Sequence, residues 1–445
     1  MKLLLKGGRV FDPSSGIDCI SDVLIIDGMI NSIEKEIDPQ NFTSFPSDIS
    51  EFNSSENKDF YIDLSGKILA PGFIDMHTHL RSPGREDEET IESGTMAAVA
   101  GGFTSIACMA NTDPVNDSQS VTEFILSEAK KHGRCNVYPV GAVTKGLKGE
   151  MLSEIGEMYN TGIAALSDDG VTIMDSNILR RGLEYASMFG LTVICHCEDP
   201  YLKKDGVMHE GYYSTYLGLP GSPRESEEHI VFRNALFSRM VSTPVHIAHI
   251  SSRGSIQILE YWKNKGLKIT GECCPHYFSL SDKDLSDYDT NKKVNPPIRD
   301  EEDRKAILSA LKSGIIDVIA SDHAPHASQE KELDFINAPS GLIGLETTVS
   351  LSLSRIYHDG ILSLREFVEK FTINPARILN LDKGSLSIGK DADITILDLD
   401  REWTVDKMKF YSKSKNTPFD GWKVKGKPYM TIVKGAIKMV DGHVF

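Results

Sequence analysis

The sequence predicts an α/β protein: a (β/α)8 TIM-like barrel with a small β-sandwich domain built from both chain termini. Three observations predict it. The middle of the chain alternates apolar, often β-branched runs with helix-like stretches, the pattern of a parallel sheet buried on both faces. Both ends are instead rich in short strand-like runs punctuated by Gly, Asp and Pro. Reactive side chains gather where the central apolar runs end, and barrel chemistry sits at the C-terminal ends of the strands. A length of 445 residues holds one such barrel, roughly 250 residues, and a smaller domain.

The elements follow in order. Residues 1–66 supply the first part of the sandwich, with KLLLKGGRVFDP and DVLIIDGMINSIE as strands and turns. Within them, 38–59 is polar and rich in Ser and Asn, which predicts a mobile surface insertion. Residues 67–380 form the barrel. Its strands are expected near 68–76, 103–109, 136–142, 162–166, 191–197, 244–250, 268–273 and 316–321. Helices are expected at 89–100, 121–131, 151–159, 177–189, 225–240, 254–265 and 302–313, with another at 346–357. The segment ISSRGSI reads as a helix N-terminus. Residues 381–445, with DADITILDLD and YMTIVKGAIKMVDGHVF, complete the sandwich.

Composition narrows the function. Hydrophobic residues are 40% and charged residues 25%, as in an ordinary globular protein. The net charge of −16 argues against nucleic acid or an anionic membrane as the main partner. No apolar run approaches the ~18–20 residues of a membrane span. Gly7 and Gly8 interrupt the start before a signal-type apolar core forms. The seven Cys include no CxxC and mostly fall in apolar runs, which reads as reduced thiols in a cytoplasmic enzyme.

The first strand runs into Asp75-Met76-His77-Thr78-His79, the fourth into Asp168-Asp169 and the fifth into His196. The sixth ends in His246-Ile247-Ala248-His249 and the eighth in Asp322-His323. His77 and His79 are two apart on a strand and point to one side, as two imidazoles holding one divalent metal do. The ligands expected by position are His77, His79, one Asp of the 168–169 pair, His196, one His of the sixth strand and Asp322. Six ligands exceed the need of one tetrahedral zinc and suit two metals ~3.5–4 Å apart. His249 lies nearer its strand's end than His246, which reads as core. Asp322 has two compatible roles, metal ligand and proton carrier; His323 reads equally well as structural. Arg81, two residues beyond the HxH pair, suits a substrate carboxylate. Asn111, Asn295 and His326 are polar partners for the same substrate. Met96 and Met109 read as core.

The motifs PGFIDMHTHLRSPG, MANTDPV, LSDDGV, CHCEDPYL, AHISSRGS, CPHYFSLSD, VNPPIRDEEDR, SDHAPH, GLIGLETTVSL and KNTPFDGWKVKGKP follow one another along the chain. Together they resemble the dihydroorotases of the bacterial class I type, in the amidohydrolase superfamily. The resemblance implies a reversible cyclisation of N-carbamoyl-L-aspartate to L-dihydroorotate plus water, a step of pyrimidine biosynthesis. It selects Asp169 over Asp168 as a bridging carboxylate. It implies two Zn2+ per subunit, bridged by Asp169 and hydroxide: one held by His77, His79, Asp169 and Asp322, the other by His196, His249 and Asp169. Asp322 would be the catalytic proton carrier. Arg81, Asn111 and His326 would grip the substrate carboxylate and Asn295 the ring, and the loop with Ser340 and Gly341 would line the substrate. Many relatives carry an aromatic residue where Ser340 stands. Relatives in the hydantoinase and allantoinase groups typically bridge their metals with a carbamylated lysine on the fourth strand; TGIAALSDDG contains none. The other readings are an allantoinase or hydantoinase, or a catalytically silent scaffold barrel. As partners the resemblance implies a small-molecule substrate, a homodimer and an association with aspartate carbamoyltransferase.

Overall fold

The computed structural model describes residues 2–46 and 59–445. Its central sheet has eight parallel strands in sequential order. They are β1 (Phe73–Thr78), β2 (Phe103–Cys108), β3 (Asn136–Ala142), β4 (Ala165–Ser167), β5 (Val193–Cys195), β6 (Val245–Ile247), β7 (Ile269–Cys273) and β8 (Val318–Ile319). A parallel bridge between Thr78 and His323 joins the last strand's end to the first. The Asp75 carboxylate adds to this seam by accepting the Ser321 N–H at 3.2 Å.

Helices α1 (Ile91–Ala100), α2 (Gln119–His132), α3 (Ile155–Thr161), α4 (Ser176–Ser187), α5 (Glu225–Val241), α6 (Arg253–Asn264) and α7 (Glu301–Lys312) follow the first seven strands. Local chemistry starts several of them. Thr90 and Ser93 form a capping box, and Asp175 and Asp300 cap α4 and α7. Ser252 accepts the Ser255 N–H at 3.1 Å, so ISSRGSI is indeed a helix start. The expected helix at 346–357 appears as Thr348–Ser352 followed by one π-helical turn, Leu353–Tyr357. The helix that packs on β8 and β1 is a later one, α8 (Leu364–Phe371). The small side chains of Ala107, Ala165, Ala248 and Ala320 share the barrel interior with Ile74, Met76, Met109 and Ile194. Met96 packs at the edge of the outer core.

The two termini join in one mixed ten-stranded sheet. Ile68–Pro71, the strand just before β1, is its junction. It runs parallel to Lys2–Asp12 and antiparallel to Ile394–Thr404. Leu5, Val23 and Ile25 from one end of the chain share an apolar cluster with Ile394, Met430 and Ile432 from the other. In the polar stretch 38–59, Thr43–Ser44 pairs as a short parallel strand with Phe60–Tyr61; residues 47–58 lie outside the described residues. No helix among the described residues is long and apolar enough to cross a membrane. All seven cysteines are free thiols, and six are buried.

Candidate metal centre at the barrel mouth

Six side chains converge at the C-terminal ends of the strands, with Asp169 at their centre. Its Oδ1 lies 3.4 Å from His77 Nε2, 3.8 Å from His196 Nδ1 and 3.7 Å from His249 Nε2. Its Oδ2 lies 3.6 Å from His79 Nε2 and accepts from Asn111 Nδ2 at 3.2 Å. Asp322 Oδ1 stands 3.4 Å from His77 Nε2 and 3.2 Å from His79 Nε2. The ring nitrogens of His196 and His249 face each other at 2.9 Å. The donor atoms of His77, His79 and Asp322 lie within 4.8 Å of one another, as do those of His77, Asp169 and His249.

The neighbouring candidates face elsewhere. Asp168 accepts the His196 N–H at 2.8 Å and the Ile173 N–H at 3.1 Å, so both its oxygens anchor backbone. His246 spends both ring nitrogens, on Thr270 Oγ1 and Glu272 Oε2. His323 bonds Glu89 and receives the Gly344 N–H; it is structural.

The residues fit a divalent cation on two counts. His77 Nε2 is buried and has no hydrogen-bond partner among the described residues, although two carboxylates flank it. Such a nitrogen is costly unless something binds it. The donor set is imidazole and carboxylate, which suits first-row divalent metals. The local field also favours positive charge. Burial works against a protonated His77, yet Glu272, Asp322 and Asp169 outweigh it and raise its pKa well above the usual 6.5. Burial likewise pushes Asp322 upward, but the surrounding imidazoles bring its pKa down to about 2.

Further supports were not legible in the sequence. Glu272, fully buried on β7, accepts from His77 Nδ1 at 2.6 Å, bonds His246 and receives the His249 N–H. A second partner of this kind fixes a ligand's tautomer and orientation. An acidic residue inside an apolar strand was the available signal. Glu88 lies 3.0 Å from both Arg81 Nε and His326 Nδ1; within EDEET it reads as surface charge.

Arg81 and His326 approach to 3.5 Å. Burial lowers the Arg81 pKa, while the charges of Glu88, Asp322 and Asp169 oppose that shift. Asn111 also accepts from His79 Nδ1 through its side-chain oxygen at 2.8 Å. Asn295 bonds Glu198 and Lys203, and the same Glu198 oxygen lies 3.6 Å from His196 Nε2. The Ser340 carbonyl lies 2.9 Å from His326 Nε2. Gly341 has φ 142, and a Cβ there would meet Ala324 and His326 at 2.9 Å. Asn416 Nδ2 donates to the Ala324 and Gly341 carbonyls, tying the C-terminal segment to this loop.

Two family models match the chain, "Dihydro-orotase-like" over residues 66–255 and "Amidohydrolase family" over 305–438. The dihydroorotase of Geobacter metallireducens is 48% identical over 437 residues, covering 98% of this chain and 99% of that one. The dihydroorotase of Acetivibrio thermocellus is 46% identical, covering 98% of each. The chain belongs to the dihydroorotase family. Among solved structures, the L-hydantoinase (dihydropyrimidinase) of Arthrobacter aurescens matches with a TM-score of 0.84 at 25% identity, covering 100% of this chain and 97% of the other. The dihydroorotase family is part of the metal-dependent amidohydrolases, and its barrel mouth here carries His and Asp groups able to bind metal.

Proposed function

We propose that this dihydroorotase family member interconverts N-carbamoyl-L-aspartate and L-dihydroorotate plus water. The observation that carries the reading is Arg81. Its half-buried guanidinium stands beside His326 and near the carboxylates of the six-donor cluster. A guanidinium so placed pairs with a carboxylate on the substrate, which dihydroorotate has and hydantoin and allantoin lack.

Residues 67–380 are the catalytic unit in this reading, flanked by 1–66 and 381–445. His77, His79, Asp169, His196, His249 and Asp322 would hold two Zn2+, with Asp169 shared between them. Bound zinc supplies a Lewis acid that polarises the ring amide and lowers the pKa of water. Asp322 takes a proton from the attacking water and returns it to the departing ring nitrogen. In the cyclising direction the same carboxylate removes the ureido nitrogen's proton. Arg81, Asn111 and His326 hold the substrate carboxylate, Asn295 contacts the ring, and the Ser340–Gly341 loop lines it. Fixing the remote carboxylate orients the reacting amide, an effect worth several kcal/mol of barrier. The reading extends to a cytoplasmic homodimer that associates with aspartate carbamoyltransferase; sizing by light scattering and co-elution with that transferase test these two points.

The decisive experiment is the initial rate of L-dihydroorotate hydrolysis by the zinc-loaded protein, with Asp322→Asn as the blank. A rate lost in the blank is expected. No rate from folded, metal-loaded protein, or a faster rate on hydantoin, would overturn the reading.

A further inference from the structure

Behind the six-donor cluster lies a second donor set that the proposed reaction does not use. Cys274 ends the β7 segment, His276 follows it, and both side chains are buried, at 0% and 1% exposure. Neither ring nitrogen of His276 has a hydrogen-bond partner among the described residues. Donor atoms of Cys274, His276 and Asp322 lie within 4.8 Å of one another. Asp322 therefore belongs to two donor sets, one with His77 and His79 and one with Cys274 and His276. An imidazole buried with both nitrogens unpaired needs an occupant for at least one of them. A sulfur, an imidazole and a carboxylate together select soft or borderline divalent metals such as zinc and cobalt.

We propose that Cys274, His276 and Asp322 form a third, inhibitory divalent-metal site. Binding there breaks the Cys274 S–H bond, forms a sulfur–metal bond and releases the proton to solvent. Because Asp322 is shared with the first cluster, the site fills only when metal exceeds the needs of that cluster. A metal on Asp322 from this side withdraws the carboxylate from proton transfer. The inhibitory half of the inference rests on the role proposed above for Asp322; the site itself does not.

The test is a Co2+ titration of the two-zinc holoenzyme, reading near-ultraviolet absorption and the rate of dihydroorotate hydrolysis together. Only a cysteine ligand produces a sulfur-to-cobalt charge-transfer band, and none of the first six donors is a cysteine. The wild type should gain this band with one further equivalent of metal and lose about tenfold or more of its rate. Cys274→Ala should show no band and lose less than about twofold over the same range. His276→Asn, which keeps a polar side chain of similar reach, should weaken the band and guards against a folding defect in the first variant. No band in the wild type, or a band kept in Cys274→Ala, overturns the site. A band without loss of rate overturns the inhibitory role alone. Absence of any rate before cobalt is added would count against the proposed reaction, and the band would still judge the site.

Discussion

The barrel mouth and the sheet of the termini both bury polar groups, but only the mouth leaves ring nitrogens without partners among the described residues. In the sheet, Asp12 accepts from the Ser14 and Leu386 N–H groups, both at 2.9 Å or shorter, and from two serine hydroxyls. Asp22 accepts from Gly7, Ile37 and Lys6, each at 2.8 Å. Every oxygen there has a partner within the fold. At the mouth, His77 Nε2, His249 Nδ1 and both nitrogens of His276 are buried with no partner among the described residues. The backbone differs too. Arg81, His249 and Asp322 adopt positive φ within the mouth itself. In the sheet, Asp27, Lys434 and Asp441 do so at hairpin turns, where the geometry calls for it. Unpaired nitrogens and strained backbone persist only where the rest of the structure over-determines them, and they cluster where function requires them. The sheet spends its polar groups on folding; the mouth keeps them for a ligand.

Substitutions should separate the two regions. Asp322→Asn should lower kcat by about 10²–10⁴-fold while bound metal stays near the wild-type count. Activity within tenfold of wild type would remove the proton-carrying role. In the sheet, Leu5→Ala should cost about 2–5 kcal/mol of stability by denaturant titration, with kcat unchanged where the protein is folded. A fall in kcat of the folded variant would mean that the sheet shapes the site. Arg81→Ala should raise KM for dihydroorotate by about 10–100-fold and leave KM for hydantoin nearly unchanged; equal effects on both would make Arg81 structural. Glu272→Gln should weaken metal binding by about 10–100-fold in a chelator competition, and unchanged affinity would show that Glu272 only fills the strand.

The smallest effect is a pH dependence. Lys331 Nζ donates to the Pro339 and Gly341 carbonyls at 2.9 and 3.0 Å, and burial lowers its pKa to about 7 from 10.5. Between those values the unfolded chain binds the proton more readily than the folded one, so folding stability rises with pH. The wild type should therefore gain Tm relative to Lys331→Met from pH 7 to about 10. Parallel curves for the two proteins would show that Lys331 does not titrate in this range.

The barrel was legible because its code is local. Apolar runs such as FTSIACM at β2 and LTVICHC at β5 are short, β-rich and followed by the helices α2 and α5. Most strands fall within the expected runs, but the run near 68–76 divides into Ile68–Pro71 of the terminal sheet and β1, and β4, β5, β6 and β8 are only two or three residues long. Helix α8 lies outside the expected helices, only six residues after the π-helical turn Leu353–Tyr357, although LREFVEKF is amphipathic. The short strand Thr43–Ser44 escaped notice because its partner lies across the polar stretch.

By itself the sequence determined the alternation of strands with helices, the strand-rich termini and the gathering of His and Asp at strand ends, because hydrophobic periodicity and residue type are local properties. Only the tertiary structure decided which member of each pair turns inward: Asp169 faces the imidazoles while Asp168 holds backbone, and His249 faces Asp169 while His246 bonds Glu272 and Thr270. It alone revealed Glu272 behind His77, Glu88 between Arg81 and His326, and Cys274 and His276 beside Asp322. Strand ends twist out of regular alternation, and these partners come from elements far apart in the chain. The direction of a side chain at a strand's end is set by the neighbours that closure of the barrel brings beside it.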